Sequence, residues 1–562
     1  MSSQRSDPPL IVQSDHTVLL ETGLPDSGAA RDGLALFAEL VKSPEHVHTY
    51  RITPLSLWNA ASAGVRLEEI LGLLRRYSRF DLPLALEEDL RGTLGRYGRF
   101  RLLPGPGQDL LLDVDDGQLL TQVMANPRVG PLLGRRLSSG QVLVPGGNRG
   151  LLKQVLTRLL WPVEDLAGYT PGEPLALALR DVTRSGIPFS LRPYQVEAVA
   201  AFHAGGEARG GSGVVVLPCG AGKTLVGLGI LERLQTSTLV LTTSVTALRQ
   251  WKVELLERTS LGDDQIGEYS GQQKQVAPVT LSTYQILTHR RSRRDPFTHF
   301  DLFRKRNWGL IVYDEVHLLP APVFRLLADI QARRRLGLTA TLVREDGREE
   351  DVFSLIGPKK YDAPWRDLER QGFIAAASCI EVRVPMASAL RRTYYAAEDR
   401  RAFRLASTNP AKDRVVERIL RRHPGEGVLV IGHYLDQLRR LAADLGAPLV
   451  MGSTPQGERD RLYEEFRAGR LPVLVVSRVA NFAVDLPSAS VAVQVSGTFG
   501  SRQEEAQRLG RILRPKETDN TAHFYTLVSW ETVEVEFARR RQIFLAEQGY
   551  RYLIENAVNS GG

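Results

Sequence analysis

The sequence predicts an α/β protein whose two tandem doubly wound parallel-sheet domains follow smaller α+β domains. Three observations carry this expectation. From residue 191 onward, short wholly apolar runs alternate with helical stretches, as strands covered on both faces require. The runs come in two series, one opening at Val214 and the other at Val428, so two such domains stand in tandem with a cleft between. The length, 562 residues, leaves room for about three or four domains of ordinary size.

Taken in chain order, residues 1–82 mix apolar patches with helical spacing. Leu34, Leu36, Phe37, Leu40 and Val41 suggest one helix face, and Leu67, Ile70, Leu71 and Leu74 another. His46 and His48 between them read as solvent or cap histidines, since no third ligand type clusters nearby. Residues 83–184 read as a small mixed α/β domain. Its strands fall at Phe100–Leu103, Leu110–Val114 and Gln141–Val144, its helices at Gln118–Met124 and Gly150–Trp161. The four prolines of 162–190 suggest a linker. The first of the two larger domains, 185–372, has strands at Val214–Leu217, Thr238–Leu241, Val279–Leu281, Leu310–Tyr313 and Leu336–Leu338. The second, 373–562, has them at Val428–Ile431, Pro448–Val450, Val473–Val476, Val491–Val495 and Ala522–Leu527.

Composition narrows the class. A 43% hydrophobic and 24% charged chain is neither disordered nor fibrous, and no apolar run approaches the ~20 residues that span a bilayer. The opening residues lack the basic start and apolar stretch of a signal peptide. Two cysteines, Cys219 and Cys379, cannot build a disulfide framework or an iron–sulfur site, so a cytoplasmic setting is expected. The net charge is +8, yet residues 1–190 carry −1 and the remainder +9. A basic surface and a polyanionic partner explain that excess equally well.

The chemistry starts where the first series opens. Val214–Leu217 runs into Pro218, Cys219, Gly220, Ala221, Gly222, Lys223, Thr224 and Leu225, and then a helix. Such a turn presents main-chain N–H groups and a helix N-terminus to phosphate, with the lysine reaching the β and γ phosphates and Thr224 on Mg²⁺. Leu217 stands where the general pattern wants glycine, so the loop is a variant. Beyond it, an apolar strand ends in Asp314 and Glu315, placing one carboxylate on Mg²⁺ and the other beside an attacking water. Gln195, ahead of the loop, is placed to read the two-sided adenine edge with its amide. Near the C-terminus Arg508, Arg511 and Arg514 recur every three residues on one helical face, where a γ-phosphate across the cleft would relieve their repulsion.

These segments resemble a superfamily-two helicase motor with the DExH form of the acidic box, and more specifically the bacterial members of the XPB family of DNA repair helicases. The resemblance rests on PCGAGKT (218–224), TTSVTALRQWKVE (242–254), STYQ (282–285), DEVHLLPA (314–321), LTATLVRED (338–346), SRVANFAVDLPSAS (477–490), QRLGRILRPK (507–516) and FLAEQGYRYLI (544–554). It implies two RecA-like domains and an ATP-dependent, Mg²⁺-requiring DNA translocase of 3′-to-5′ polarity. By the same implication Arg192 joins Gln195 at adenine, His317, Thr339 and Thr341 couple the lobes, and Gln507, Arg511 and Arg514 sense γ-phosphate. Asp485 serves the nucleotide face of the second lobe, and Arg344-Glu345-Asp346 is associated with opening the duplex. A thumb-like insertion falls at 385–412 and a damage-recognition-like domain at 83–184.

DNA itself would be held at strand-to-helix junctions, whose hydroxyls and N–H groups suit sugar-phosphate contacts. The candidates are Thr243, Ser244, Gln250 and Trp251, then Ser282, Thr283 and Tyr284, and in the second lobe Gly432, His433, Tyr434, Ser477 and Arg478. Single-stranded, forked or damaged duplex DNA is the expected partner, with a nuclease as a further one, no membrane, and a monomeric motor. Two other readings stay open. One is a DExH RNA helicase or restriction-type motor, the other an ATP-gated DNA-binding scaffold that recruits a nuclease.

Overall fold

The computed structural model describes residues 7–42, 46–218, 220–290, 297–320, 323, 330–331, 333–340, 348–363, 365–477, 489–497, 509, 520–547, 550 and 552–557. Two seven-stranded parallel sheets dominate it. The first lies in the order Ile266–Tyr269, Val279–Thr283, Thr238–Thr242, Leu310–Asp314, Arg334–Thr339, Ser212–Val216, Lys359–Asp362. The second runs Leu449–Val450, Val473–Ser477, Gly427–Gly432, Ala489–Gln494, Thr521–Ser529, Ala376–Val384, Tyr552–Asn556. Counted in chain order within each sheet, both read third, fourth, second, fifth, sixth, first, seventh. The tandem halves therefore share one topology, and each gathers its strand-to-helix turns on a single carboxyl edge.

The inner strands form because their residues are apolar on both faces. Every residue of Ser212–Val216, Thr238–Thr242 and Val279–Thr283 is buried. In the first lobe Thr238 stands opposite both Val279 and Leu310, and the register shifts between Lys359 and Tyr361 where the last strand joins Ser212–Val216. Between Ala376–Val384 and the long helix Ala411–Arg422, the second lobe inserts two short helices, Ser388–Tyr395 and Asp399–Ser407.

The N-terminal region holds two four-stranded sheets. In the first, Leu10–Val12, Thr17–Glu21, Val47–Arg51 and Glu39–Lys42 pair antiparallel in that order. This corrects the helical reading of 34–41: the helix Ser27–Leu34 stops at Leu34, and Leu40 and Val41 sit in an edge strand. The face at Leu67, Ile70, Leu71 and Leu74 is helical and buried as its spacing predicts. The second sheet contains Phe100–Pro104, Leu110–Val114 and Gln141–Val144, and adds a strand at Val163–Asp165.

Both units are fastened to the motor. Gln154 and Arg158 donate to Asp351 at 2.6 and 2.8 Å, and Lys153 donates to Gln331 at 2.6 Å. The Lys359 N–H donates to Asn59 at 3.0 Å, while Ile543 and Ala546 from the helix Val533–Glu547 join the core of the first unit. The first unit thus touches both lobes. Residues 162–190 are not a free linker either: Leu175 and Leu177 are buried, and the Leu175 N–H donates to Gln235. Among the described residues, no helix is long and apolar enough to cross a membrane.

Candidate active site

The strand Ser212–Val216 runs into the turn that ends at the helix Lys223–Leu234. Gly220 and Gly222 hold φ angles of 83° and 78°, left-handed values that tax any residue with a Cβ. Gly222 is also pressed against Gln195, whose Nε2 would lie 2.5 Å from an added Cβ. The two glycines let the chain bend tightly under the helix N-terminus. The N–H groups of the helix's first turn, which have no acceptor within the helix itself, then form a ready cradle for phosphate.

Facing this turn is the end of Leu310–Asp314. The Lys223 Nζ lies 3.3 Å from Glu315 Oε1. Glu315 takes a left-handed φ of 52°, a conformation that costs a residue with a side chain about 1–3 kcal/mol and must be held by its surroundings. His317, buried, supplies part of that hold: its Nδ1 is 3.5 Å from Glu315 Oε2 and 2.6 Å from Thr339 Oγ1. The Leu217 N–H donates to the Thr339 carbonyl at 3.0 Å. The phosphate turn, the acidic pair, His317 and Thr339 therefore form one closed circuit of contacts.

Asp314 is held differently. Trp251 Nε1 donates to its Oδ2 at 3.0 Å, and the Tyr284 hydroxyl donates to its main-chain carbonyl at 2.9 Å. Burial and the neighbouring Glu315 charge push the Asp314 carboxyl above the ordinary carboxylate range. Burial pushes Glu315 up too. The charges of Lys223 and His317 and the hydrogen bonds from Lys223 and the Ala340 N–H outweigh it, so Glu315 stays below its usual value. Two adjacent carboxylates driven apart in this way are suited to different tasks.

On the other side of the turn, Gln195 is buried. Its Oε1 accepts from the Arg192 N–H at 2.9 Å and its Nε2 donates to the Ala221 carbonyl at 2.9 Å. The Tyr194 hydroxyl donates to the same carbonyl at 2.7 Å. Arg192 donates to the Phe373 carbonyl at 3.0 Å and lies 5.1 Å from its ring centroid, and Tyr194 packs on that ring at 5.2 Å. The pair proposed for adenine thus also ties the phosphate turn to the segment entering the second lobe. Tyr194, beside Gln195, was not singled out from sequence. Its neighbours in Leu191-Arg-Pro-Tyr-Gln195 were the available signal. Pro218 is buried beside the turn, and Thr224 and Leu225 occupy the first helical turn, half-buried.

The candidate DNA contacts divide. Thr243 and Ser244 are half-buried at the end of Thr238–Thr242, Ser244 capping the helix Val245–Arg258 by accepting from the Ala247 N–H at 3.1 Å. Gln250 is exposed on that helix. Gly432 ends Gly427–Gly432 and is buried, and His433 and Tyr434 follow it half-buried, with the His433 N–H donating to Ser496. Trp251, Ser282, Thr283, Tyr284 and Ser477 are all buried. Trp251 sits in the first-lobe core against the phosphate helix and serves Asp314. The Ser282 hydroxyl donates to Tyr269 at 2.8 Å, and the Thr283 Oγ1 accepts from the Ile286 N–H to cap a short helix. Cys219, Thr341, Arg344, Glu345, Asp346, Arg478, Asp485, Gln507, Arg511 and Arg514 lie outside the described residues.

A phosphate turn and an acidic box on the carboxyl edge of one parallel sheet, with a second sheet of the same topology after it, define a two-lobed helicase-type motor. Family comparisons agree. The ERCC3/RAD25/XPB C-terminal helicase model matches residues 368–560, and that of the type III restriction enzyme res subunit matches 188–344. One described as a helicase conserved C-terminal domain matches 10–138, ahead of both lobes. "DNA 3'-5' helicase XPB" of Kineococcus radiotolerans is 55% identical over 99% of this chain and 98% of its own length. Its namesake in Mycobacterium tuberculosis is 54% identical over 98% of each. The transcription and DNA repair factor IIH helicase/translocase subunit XPB of Antonospora locustae is 35% identical, covering 99% of this chain and 83% of itself. The chain belongs to the XPB family.

Proposed function

We propose that this chain is an ATP-dependent DNA helicase and translocase of 3′-to-5′ polarity that acts in DNA repair. The observation that carries the reading is the circuit of Lys223, Glu315, His317 and Thr339 beside the phosphate turn, in a chain of this family. The residues present fit ATP and Mg²⁺: the left-handed glycines turn the main chain into the N-terminus of Lys223–Leu234, and the acidic pair stands next to it. Bound ATP with Mg²⁺ supplies the phosphoanhydride bond whose cleavage drives the lobes. In this reading Lys223 and the N–H groups of 218–225 bind phosphates, while Thr224 and Asp314 hold the metal. Glu315 orients the water and takes its proton.

Arg192 and Gln195 position the adenine side. From the second lobe Asp485, Gln507, Arg511 and Arg514 face the same nucleotide, and Thr339, Thr341 and His317 pass the change between lobes. Arg344, Glu345 and Asp346 act at the duplex junction. Thr243, Ser244, Gln250, Gly432, His433, Tyr434 and Arg478 line the path of a single strand. The domain limits at 82, 184 and 372, a monomeric state, a nuclease partner and a cytoplasmic setting belong to the same reading.

The test is ATP hydrolysis and strand displacement on a forked DNA, with single-stranded DNA and an RNA fork alongside. Wild type displaces a DNA strand, and Lys223→Ala loses turnover. Arg511→Ala keeps nucleotide binding and loses hydrolysis. Substantial DNA-stimulated turnover by Lys223→Ala overturns the assignment, and preferential stimulation by RNA transfers it to the RNA branch.

A further inference from the structure

One side-chain cluster lies outside the site just described. The strand Ile266–Tyr269 is the outermost of the first-lobe sheet, and Tyr269 at its carboxyl end pairs in register with Ser282. Two ammonium groups approach the Tyr269 ring: Lys274 Nζ is 4.8 Å and Lys305 Nζ 4.9 Å from its centroid. Its hydroxyl shares a 2.9 Å hydrogen bond with His299 Nδ1 and accepts from Lys305 at 3.4 Å. The His289 ring is 6.2 Å from that of His299. Lys274, Lys305 and His289 are exposed.

These cations are poorly balanced. Among the described residues, Asp301 is the one carboxylate within 4.0 Å of either lysine, at 3.7 Å from Lys305, and Lys274 has none. Burial and the charge of Lys305 hold the Lys274 ammonium below its ordinary value, and burial, Lys274, His289 and Lys305 together lower His299, with only Asp301 opposing. Two ammonium groups thus meet at one aromatic ring, with a carboxylate beside Lys305 alone.

Their position gives the repulsion a use. The cluster continues the carboxyl edge on which Thr243, Ser244 and Gln250 lie, and Arg249 bridges the two by donating to Gln272, two residues before Lys274, at 3.0 Å. We propose that Lys274 and Lys305, both within 5 Å of the Tyr269 ring centroid, form an additional contact with the DNA phosphate backbone, extending the path of the motor beyond its own strand-to-helix turns. This rests on the DNA reading above and adds a residue-specific anchor to it. Lysine ammonium groups at this spacing contact phosphate without reading sequence, so the anchor grips any DNA, duplex arm or single strand.

The test is the salt dependence of binding by the full chain and by Lys274→Gln/Lys305→Gln. Fluorescent blunt duplex and single-stranded oligonucleotide serve as separate probes, titrated between 50 and 200 mM NaCl. Each lost phosphate contact removes about 0.9 from the log–log slope on duplex and about 0.7 on a single strand. Loss of both contacts therefore makes the fall in duplex affinity across that range about tenfold smaller. The slope does not depend on the fraction of protein that is folded, so a destabilised variant still gives an answer. A shallower slope on either probe supports the anchor and says which DNA it holds. Unchanged slopes on both overturn it and leave the helicase reading standing, whereas a wild type that binds neither probe overturns both.

Discussion

The indole N–H of Trp251 donates to Asp314 Oδ2 at 3.0 Å, joining the helix that follows Thr243 and Ser244 to the carboxylate proposed for Mg²⁺. A movement of the proposed DNA-binding helix is therefore felt directly at the hydrolytic site. Trp251→Phe keeps an aromatic ring in the core and removes the donor. A hydrogen bond to a charged group contributes about 1.5–3 kcal/mol, so the apparent Mg²⁺ affinity for hydrolysis should fall about tenfold or more. Asp314 also rises further without that donor, so the acid limb of the pH–rate profile moves to higher pH. A Mg²⁺ titration and a pH profile that match wild type would show that the contact is only structural.

Asp314 itself carries a stability signature. Its folded-state carboxyl is raised by burial and by Glu315, so between the ordinary carboxylate range and this raised value the folded chain binds more protons than the unfolded one. The contribution of this group to stability is full at low pH and is lost as pH rises through that window. At pH 7, without nucleotide or metal, Asp314→Asn removes a buried charge and keeps an acceptor for Trp251. Its Tm should increase by about 2–4 °C, while hydrolysis is lost. A lower Tm in thermal denaturation would mean that Lys223 and Trp251 more than compensate the buried charge.

Much of the parallel architecture was legible in the sequence because inner strands are apolar on both faces. The strands that escaped notice are instructive. Ile266–Tyr269, Lys359–Asp362 and Tyr552–Asn556 carry charged residues and lie at or next to sheet ends, while Ala376–Val384 contains Glu381 and Arg383, which pair with each other inside the sheet. In the site, the phosphate turn and acidic box were readable from motif order. What motif order does not show is the direction a side chain faces. In a strand that direction alternates residue by residue, so Ser282 at the end of its strand points inward although it stands at the expected junction. Trp251 likewise turns from the helix surface into the core.

Gln195 makes a sharper test than its neighbours, because both ends of its amide are engaged. Gln195→Ala removes the donor to the Ala221 carbonyl, but the Tyr194 hydroxyl still satisfies that atom. A KM for ATP raised about fivefold is expected, the equivalent of one neutral hydrogen bond. Gln195→Glu keeps the acceptor for the Arg192 N–H but sets a carboxylate oxygen against the Ala221 carbonyl, and should raise KM further than alanine does. Steady-state kinetics giving the reverse order would place the main role of Gln195 away from the loop.

The buried pair of Lys412 and Glu534 in the second lobe separates pairing from packing. Both side chains are wholly inaccessible, with Lys412 Nζ 2.8 and 2.9 Å from the two Glu534 oxygens. The same ammonium donates to the Val495 carbonyl at 2.9 Å, just past the strand Ala489–Gln494, and Glu534 accepts from the Ser529 N–H at 2.8 Å. Lys412→Met strands a buried carboxylate and should cost about 3–5 kcal/mol of stability. Lys412→Met/Glu534→Leu replaces both charges with apolar groups of similar volume, and should recover most of that loss. Urea denaturation of the two variants and of Glu534→Leu completes the cycle. A double variant as unstable as the sum of the singles would show that the two groups act independently, through Val495 and Ser529, and that their attraction for each other contributes nothing.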